Sequence, residues 1–168
     1  YVDADFAGNW DPEEYEDRDT ARSRHGYFIN FAGCPILWKS QLQTEVALSS
    51  TESEYTGLSY ALREAIPVMN LFQEMIENKI PVQSSHAKLH CKLFEDNSGA
   101  LEIAKVHKYR PRTKHLNCRL HHFRSYIGNG PGQVSINKIN TLDQPADMLT
   151  KPLNETSLVK FRKIVMGW

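Results

Sequence analysis

At 168 residues with 40% hydrophobic content, the chain carries apolar material for one core and too little for two. Lys plus Arg and Asp plus Glu both number 20, so net charge neither names a partner nor excludes one. Cys34, Cys91 and Cys118 are odd in number and form no Cys-x-x-Cys pair, which argues against a disulfide scaffold or zinc ribbon and suits a reducing compartment.

No run approaches the roughly 18 apolar residues of a membrane span, and no signal-peptide pattern opens the chain. The first residue is Tyr1 and already reads as strand, so a piece of a longer polypeptide is expected. Charge is segregated along the chain. Eight acids stand against Arg18 alone between Tyr1 and Thr20. Between Glu102 and Asp143 stand Lys105, Lys108, Arg110, Arg112, Lys114, Arg119, Arg124 and Lys138 with no acid among them. A solvated face would mix its signs; an unmixed basic strip suits phosphate or nucleic acid.

In chain order, Tyr1 to Ala7 alternates as a strand with Asp3 and Asp5 on one face. The acidic segment Asp11 to Asp19 reads as an exposed loop turned away from any groove that binds nucleic acid. Gly26 to Gly33 and Pro35 to Ser40 are β-rich runs joined as a hairpin, and Thr44 to Ser49 is expected to continue the sheet. Ser49, Ser50 or Thr51 then caps a helix with Glu52 and Glu54 in its first turn. At 100° per residue, Glu54 shares the apolar stripe of Leu58, Ala61 and Ala65, while Glu52 lies on the far side with Ser59 and Arg63. The stripe continues as core through Val68, Leu71, Phe72, Met75 and Ile76, with Pro67 expected to kink the helix or begin a second segment.

Lys88 to Asp96 reads as a strand ending in an acid, followed by a short helix from Ala100 to Val106. Asp96 is therefore either an N-cap or a site residue at a strand's C-terminal end. The basic strip from His107 to Tyr126 carries Tyr109, Phe123 and Tyr126 and turns helical in its second half. His115, Cys118, His121 and His122 bring three side chains near one helix face, but no fourth ligand accompanies them; phosphate contact or packing is preferred to structural zinc. Gln133 to Ile139 is a strand, Thr141 to Gln144 has the form of a capping box for a helix carrying Asp147, and Asn154 to Val165 is an amphipathic helix.

Asp3, Glu54, Asp96 and Asp147 come from four different elements. Four converging carboxylates repel one another and stay ionised together only with cations. Hard divalent ions with oxygen ligands meet that need, and Mg²⁺ does so while keeping positions open for water and phosphate.

These residues sit in strings that together resemble the ribonuclease H domain of copia-type LTR retrotransposon polyproteins. The strings are Tyr1 to Gly8, Arg22-Ser23 with Gly26-Tyr27, Trp38-Lys39-Ser40, Val46 to Tyr55, Asp96-Asn97, Arg112 to His115 and Asp143 to Leu153. They run from the first residues to near the last and keep the family's order. The resemblance implies an α/β, ribonuclease H-like fold over residues 1–168 as a single domain, a C-terminal fragment of a longer polyprotein. Its sheet would be mixed and five-stranded, the first three strands antiparallel, with helices on both faces.

The resemblance further implies an endonuclease that hydrolyses the RNA strand of RNA–DNA hybrids during reverse transcription, leaving 5′-phosphate products. The family's acidic tetrad falls on Asp3, Glu54, Asp96 and Asp147, expected to hold two Mg²⁺ ions that Mn²⁺ can replace. Asp5 is the alternative at the first position and Glu52 at the second. Expected contacts to ribose 2′-hydroxyls are Ser53, Asn97 and Ser98; expected phosphate contacts are Lys105, Lys108, Arg110, Arg112, Lys114, His115 and Arg119. Implied partners are the hybrid and the reverse transcriptase of the same polyprotein, with no membrane and no haem or nucleotide cofactor. The implied location is cytoplasmic, in the element's virus-like particle, with a nuclear phase left open.

The chain departs from the pattern twice. No histidine follows His122, whereas many relatives outside the copia group carry a mobile histidine before the last acid. Arg24-His25 stands where copia-type relatives often have small hydroxyl residues, and is expected to add positive charge near the sheet. The competing reading is a catalytically weak or inactive module that binds nucleic acid or packs on the reverse transcriptase.

Overall fold

Alternation at the N-terminus produces a short strand, β1 (Val2–Ala4), antiparallel to β2 (Arg24–Phe31), which pairs antiparallel with β3 (Cys34–Leu42). The structure, a computed structural model, describes residues 1–80, 89–105, 121–130 and 132–168. Ala32 and Gly33 make the hairpin turn at φ 51° and 81°, the left-handed pair whose twist matches the flanking strands. Pro35 is accommodated because β3 is an edge strand.

The run Thr44 to Ser49 does not continue the sheet. β2 begins at Arg24, opposite Leu42, so the chain has no ladder partner beyond that point. Gln43 marks the exit: its N–H donates to Ser23 O (2.8 Å) and its side chain to Ser53 O (2.9 Å). Val46 and Leu48 stand exposed in the link.

Helix α1 (Ser50–Glu77) is capped by Ser49, whose Oγ accepts from Glu52 N, while Glu52 Oε2 accepts from Leu48 N. It runs on through Pro67 as one element. Leu58, Ala61, Leu62, Ala65, Ile66 and Met69 are buried against the sheet, each large aliphatic among them contributing about 1.5–3 kcal/mol. The expected core stripe ends there. Leu71 is exposed and Phe72 only half-buried, stacked on Phe31 at 4.2 Å. Ser59, placed by helical phase on the outer side, is buried.

β4 (Cys91–Glu95) runs parallel to β5 (Val134–Lys138), and α2 (Ser98–Lys105) follows β4. A 3₁₀ turn, His121–Tyr126, buries Phe123 beside Tyr55. After β5 come two 3₁₀ segments, Thr141–Asp143 and Pro145–Leu149, and helix α3 (Glu155–Met166). The regular helix expected from Thr141 does not form, because Pro145 has no N–H to return to Thr141 and holds Gln144 extended at ψ 99°. Asn140, rather than Thr141, is the cap.

The expected five strands form, but as two ladders: β1-β2-β3 antiparallel and β4-β5 parallel. β1 lies beside β4 without a ladder between them. The reason lies in the edge of β1 turned away from β2. Tyr1 and Asp5 bond to β2, so the peptide groups of Val2 and Ala4 point the other way. Side chains take them: Gln144 Nε2 donates to Val2 O (2.8 Å), and Ala4 N–H donates to Glu54 Oε2 (2.7 Å). Beyond Tyr1, whose ring stacks on Phe28 and Phe94, β2 and β4 flank an apolar cavity of about 380 Å³.

Helix α1 covers one face of the antiparallel ladder, while Pro145–Leu149 and α3 cover the other. No described helix is long and apolar enough to cross a membrane. On the α1 face His25 is 1% exposed, stacked on Tyr60 at 4.3 Å, with neither ring nitrogen hydrogen-bonded among the described residues. Burial, then the charges of Lys39 and Arg24, push its pKa down to about 4. His25 is therefore neutral at pH 7, and the charge expected of it is absent.

Its stability contribution is full above the ordinary value of 6.5 and is lost as pH falls through about 4. The variant His25→Phe should keep the stack and remove that acid sensitivity. Urea unfolding should show the variant gaining about 3 kcal/mol on the unaltered protein between pH 7 and pH 4.

Candidate metal centre

The helix start sets the site. With Ser49 as cap, Glu52 is the acid of the first turn of α1, and Ser53 and Glu54 follow directly after it. Ser53 Oγ donates to the Asp5 carbonyl, pinning the helix to the end of β1. Glu54 then reaches the strand edge and accepts from Ala4 N. Its phase on the apolar face is the one expected; Glu52 stays at the cap. Asp5 is also set apart, accepting from Arg24 N at 2.6 Å to close the turn after β1.

Asp96 directly follows β4. The cap of α2 is Asn97, whose Oδ1 accepts from Gly99 N (2.9 Å) and Ala100 N (3.1 Å), so Asp96 is not spent on capping. Carboxylate oxygens of Asp3, Glu54 and Asp96 lie within 4.8 Å of one another, the only such acidic or metal-ligating group among the described residues. Asp147, on the 3₁₀ segment, stands beside Asp3. Lys151 Nζ joins them, 3.0 Å from Asp147 Oδ1 and 3.8 Å from Asp3 Oδ2, and Thr150 Oγ1 also donates to Asp3 Oδ2.

The acids strain against one another. Burial raises Asp3 to about 6, with Asp147 and Asp96 adding to the rise and Thr150 and Lys151 opposing it. Glu54 is pushed up to about 11 by burial and then by the charges of Glu95, Asp3 and Asp96. Burial also raises Asp147, against the pull of Lys151. On Lys151 burial works downward, but Asp3, Asp147 and Asp96 outweigh it and hold the ammonium above its ordinary value. Protonation or cations must relieve such a cluster, and an all-oxygen donor set suits a hard divalent cation.

Glu95 is a member the sequence reading missed. It is fully buried, its Oε1 accepts from Asn97 N (3.0 Å), and its pKa is raised well above the usual range by burial. Strand alternation carried the signal, since Glu95 lies two residues after the inward Leu93. Lys151 was missed as well, although it stands four residues after Asp147.

Among the other expected contacts, Ser53 is buried and committed to Asp5, so it positions the helix rather than meeting a ligand. Ser98 is exposed and accepts from Lys138 Nζ at 2.7 Å; Lys105 is exposed in the last turn of α2. Arg124, counted in the basic strip, turns inward and donates to Ile103 O (2.9 Å). Lys108, Arg110, Arg112, Lys114, His115 and Arg119, and most of the weighed zinc set, lie outside the described residues.

Gly26 opens room for this centre. A Cβ there would lie 2.4 Å from Leu149 Cβ and 3.2 Å from its carbonyl carbon, so the Asp147 segment approaches the sheet only over glycine. Gly26→Ala is expected to cost about 1–3 kcal/mol in denaturant unfolding and to weaken divalent-cation binding.

Fold and site together define a class: an α/β domain with a cluster of carboxylates where a strand end, a helix start and a 3₁₀ segment meet. The chain belongs with the Pol polyproteins of copia-type retrotransposons, as the counterpart of one segment of them. It is 35% identical over 162 residues to "Retrovirus-related Pol polyprotein from transposon TNT 1-94" of Nicotiana tabacum, covering 95% of this chain and 11% of that protein. From Arabidopsis thaliana, the Pol polyprotein from transposon RE2 is 33% identical over 98% of this chain and that from RE1 is 32% identical over 96%; the chain covers 10% of each. No family model and no solved structure matches the chain.

Proposed function

We propose that this domain is a ribonuclease H: a divalent-cation-dependent endonuclease cutting the RNA strand of RNA–DNA hybrids. The observation that carries the reading is the convergence of Asp3, Glu54 and Asp96 within 4.8 Å, with Asp147 beside Asp3. The relatives' Pol polyproteins support it as the setting for such an activity. Asp3, Glu54, Asp96 and Asp147 would hold two Mg²⁺ ions, or Mn²⁺ in their place. Bound there, such ions supply activation of water and neutralisation of charge at a phosphodiester.

The chain's own groups do the rest. Ala4 N–H and Thr150 Oγ1 fix the Glu54 and Asp3 carboxylates, and α1 and β1 keep water from their buried sides. Ser98, exposed two residues after Asp96 and paired with Lys138, would meet the hybrid's backbone. Asn97 has its Oδ1 engaged in capping, so its amide nitrogen would be the donor to a ribose 2′-hydroxyl. The hybrid, the polyprotein's reverse transcriptase as neighbour, and a cytoplasmic particle with a nuclear phase left open complete the proposal.

Asp96→Asn tests the reading against a module that only binds. The variant should stay folded and hold hybrid while losing Mg²⁺-dependent cutting. Equal cutting by the variant would remove Asp96 from the chemistry.

A further inference from the structure

Asp3 belongs to two groups at once. It completes the trio with Glu54 and Asp96, and it shares the Lys151 ammonium with Asp147. Among the described residues, no other Lys or Arg pairs with any of these four acids. The two groups differ in degree: Lys151 pairs with the trio only at Asp3 (3.8 Å), whereas on the Asp3–Asp147 side it also stands 3.0 Å from Asp147 Oδ1.

A cation on that side competes with the ammonium for the same carboxylate oxygens. Lys151 is built to yield. Its side chain is 39% exposed and flexible, while Thr150 before it is anchored by its hydroxyl on Asp3. We infer that Lys151 is a tethered counter-ion, filling the Asp147 side when no divalent cation is there and swinging out when one binds. The two cation positions are then unequal, the trio filling first. The inference rests on the two-cation reading given above.

Mn²⁺ binding to the full chain, followed by calorimetry and by the spin resonance of free Mn²⁺, tests it. The unaltered protein should show a stronger and a weaker class of sites. In Lys151→Met the weaker class should tighten by about fivefold, the equivalent of one exposed ion pair, with the stronger class little changed. Lys151→Arg, which keeps the charge, should leave the weaker class weak. A weaker class that is unchanged or loosened in Lys151→Met overturns the inference while leaving the two-cation reading intact. No Mn²⁺ binding by the unaltered chain overturns both.

A second measurement needs no variant. Acylation of Lys151 by an amine-directed reagent should speed up when Mn²⁺ is added. An unchanged rate contradicts the swing.

Discussion

Glu54→Gln is expected to cut hybrid cleavage by at least about 100-fold, the upper end of the cost of losing even an outer partner of a metal site. Glu52→Gln should leave cleavage near the unaltered rate and cost about 0.5 kcal/mol of stability through the helix dipole. The contrast follows from two residues' difference in helical phase. Glu54 is buried at the β1 edge on the Ala4 N–H, while Glu52 closes the cap on Leu48 N. Gln at 52 can still accept that bond. Because burial and the acids around Glu54 keep it protonated at neutral pH without metal, Glu54→Gln removes the cost of taking up that proton on folding and should stabilise the metal-free fold at pH 7. Activity assays beside thermal melts of both variants check the pair, and equal losses of cleavage in the two would refute the assignment.

Cation binding should be strongly proton-linked. Glu54, raised to about 11, holds a proton in the metal-free fold at pH 7 and must release it to become a ligand. Asp3, raised to about 6, adds a second linkage below that pH. The sign is fixed by these directions. A carboxyl with a raised folded pKa destabilises the metal-free fold as pH climbs above its unfolded value, and metal relieves that cost. Mn²⁺ affinity should therefore rise about tenfold per pH unit between pH 6 and 8, with about one proton released. Calorimetry in two buffers of different ionisation enthalpy reads the proton count directly; a pH-independent affinity would mean that Glu54 is not a ligand.

Much of this centre was legible in the sequence because helical and strand periods are rigid. The 100° step placed Glu54 on the sheet side, and the strand running into Asp96 placed that acid at a strand end. What the sequence left open, Asp3 or Asp5 and Asp96 as cap or site, turned on hydrogen bonds no period encodes: Asp5 serves Arg24 N, and Asn97 takes the cap.

The misses share a cause. Thr44 to Ser49 has strand-like residues, but β2 offers it no partner. The sheet divides because Glu54 and Gln144, distant in sequence, take the peptide groups on the β1 edge. Glu95 and Lys151 were hidden for a related reason, since each gains meaning only from acids that other elements bring to it.

The central claim, that these carboxylates serve a hydrolytic cation site, is tested most directly by incubating the unaltered chain with an RNA–DNA hybrid labelled on either strand, with Mg²⁺ or with chelator. The expected result is shortening of the RNA strand alone, products with 5′-phosphate ends, and no cutting in chelator. A hybrid that stays intact in both Mg²⁺ and Mn²⁺ would contradict it.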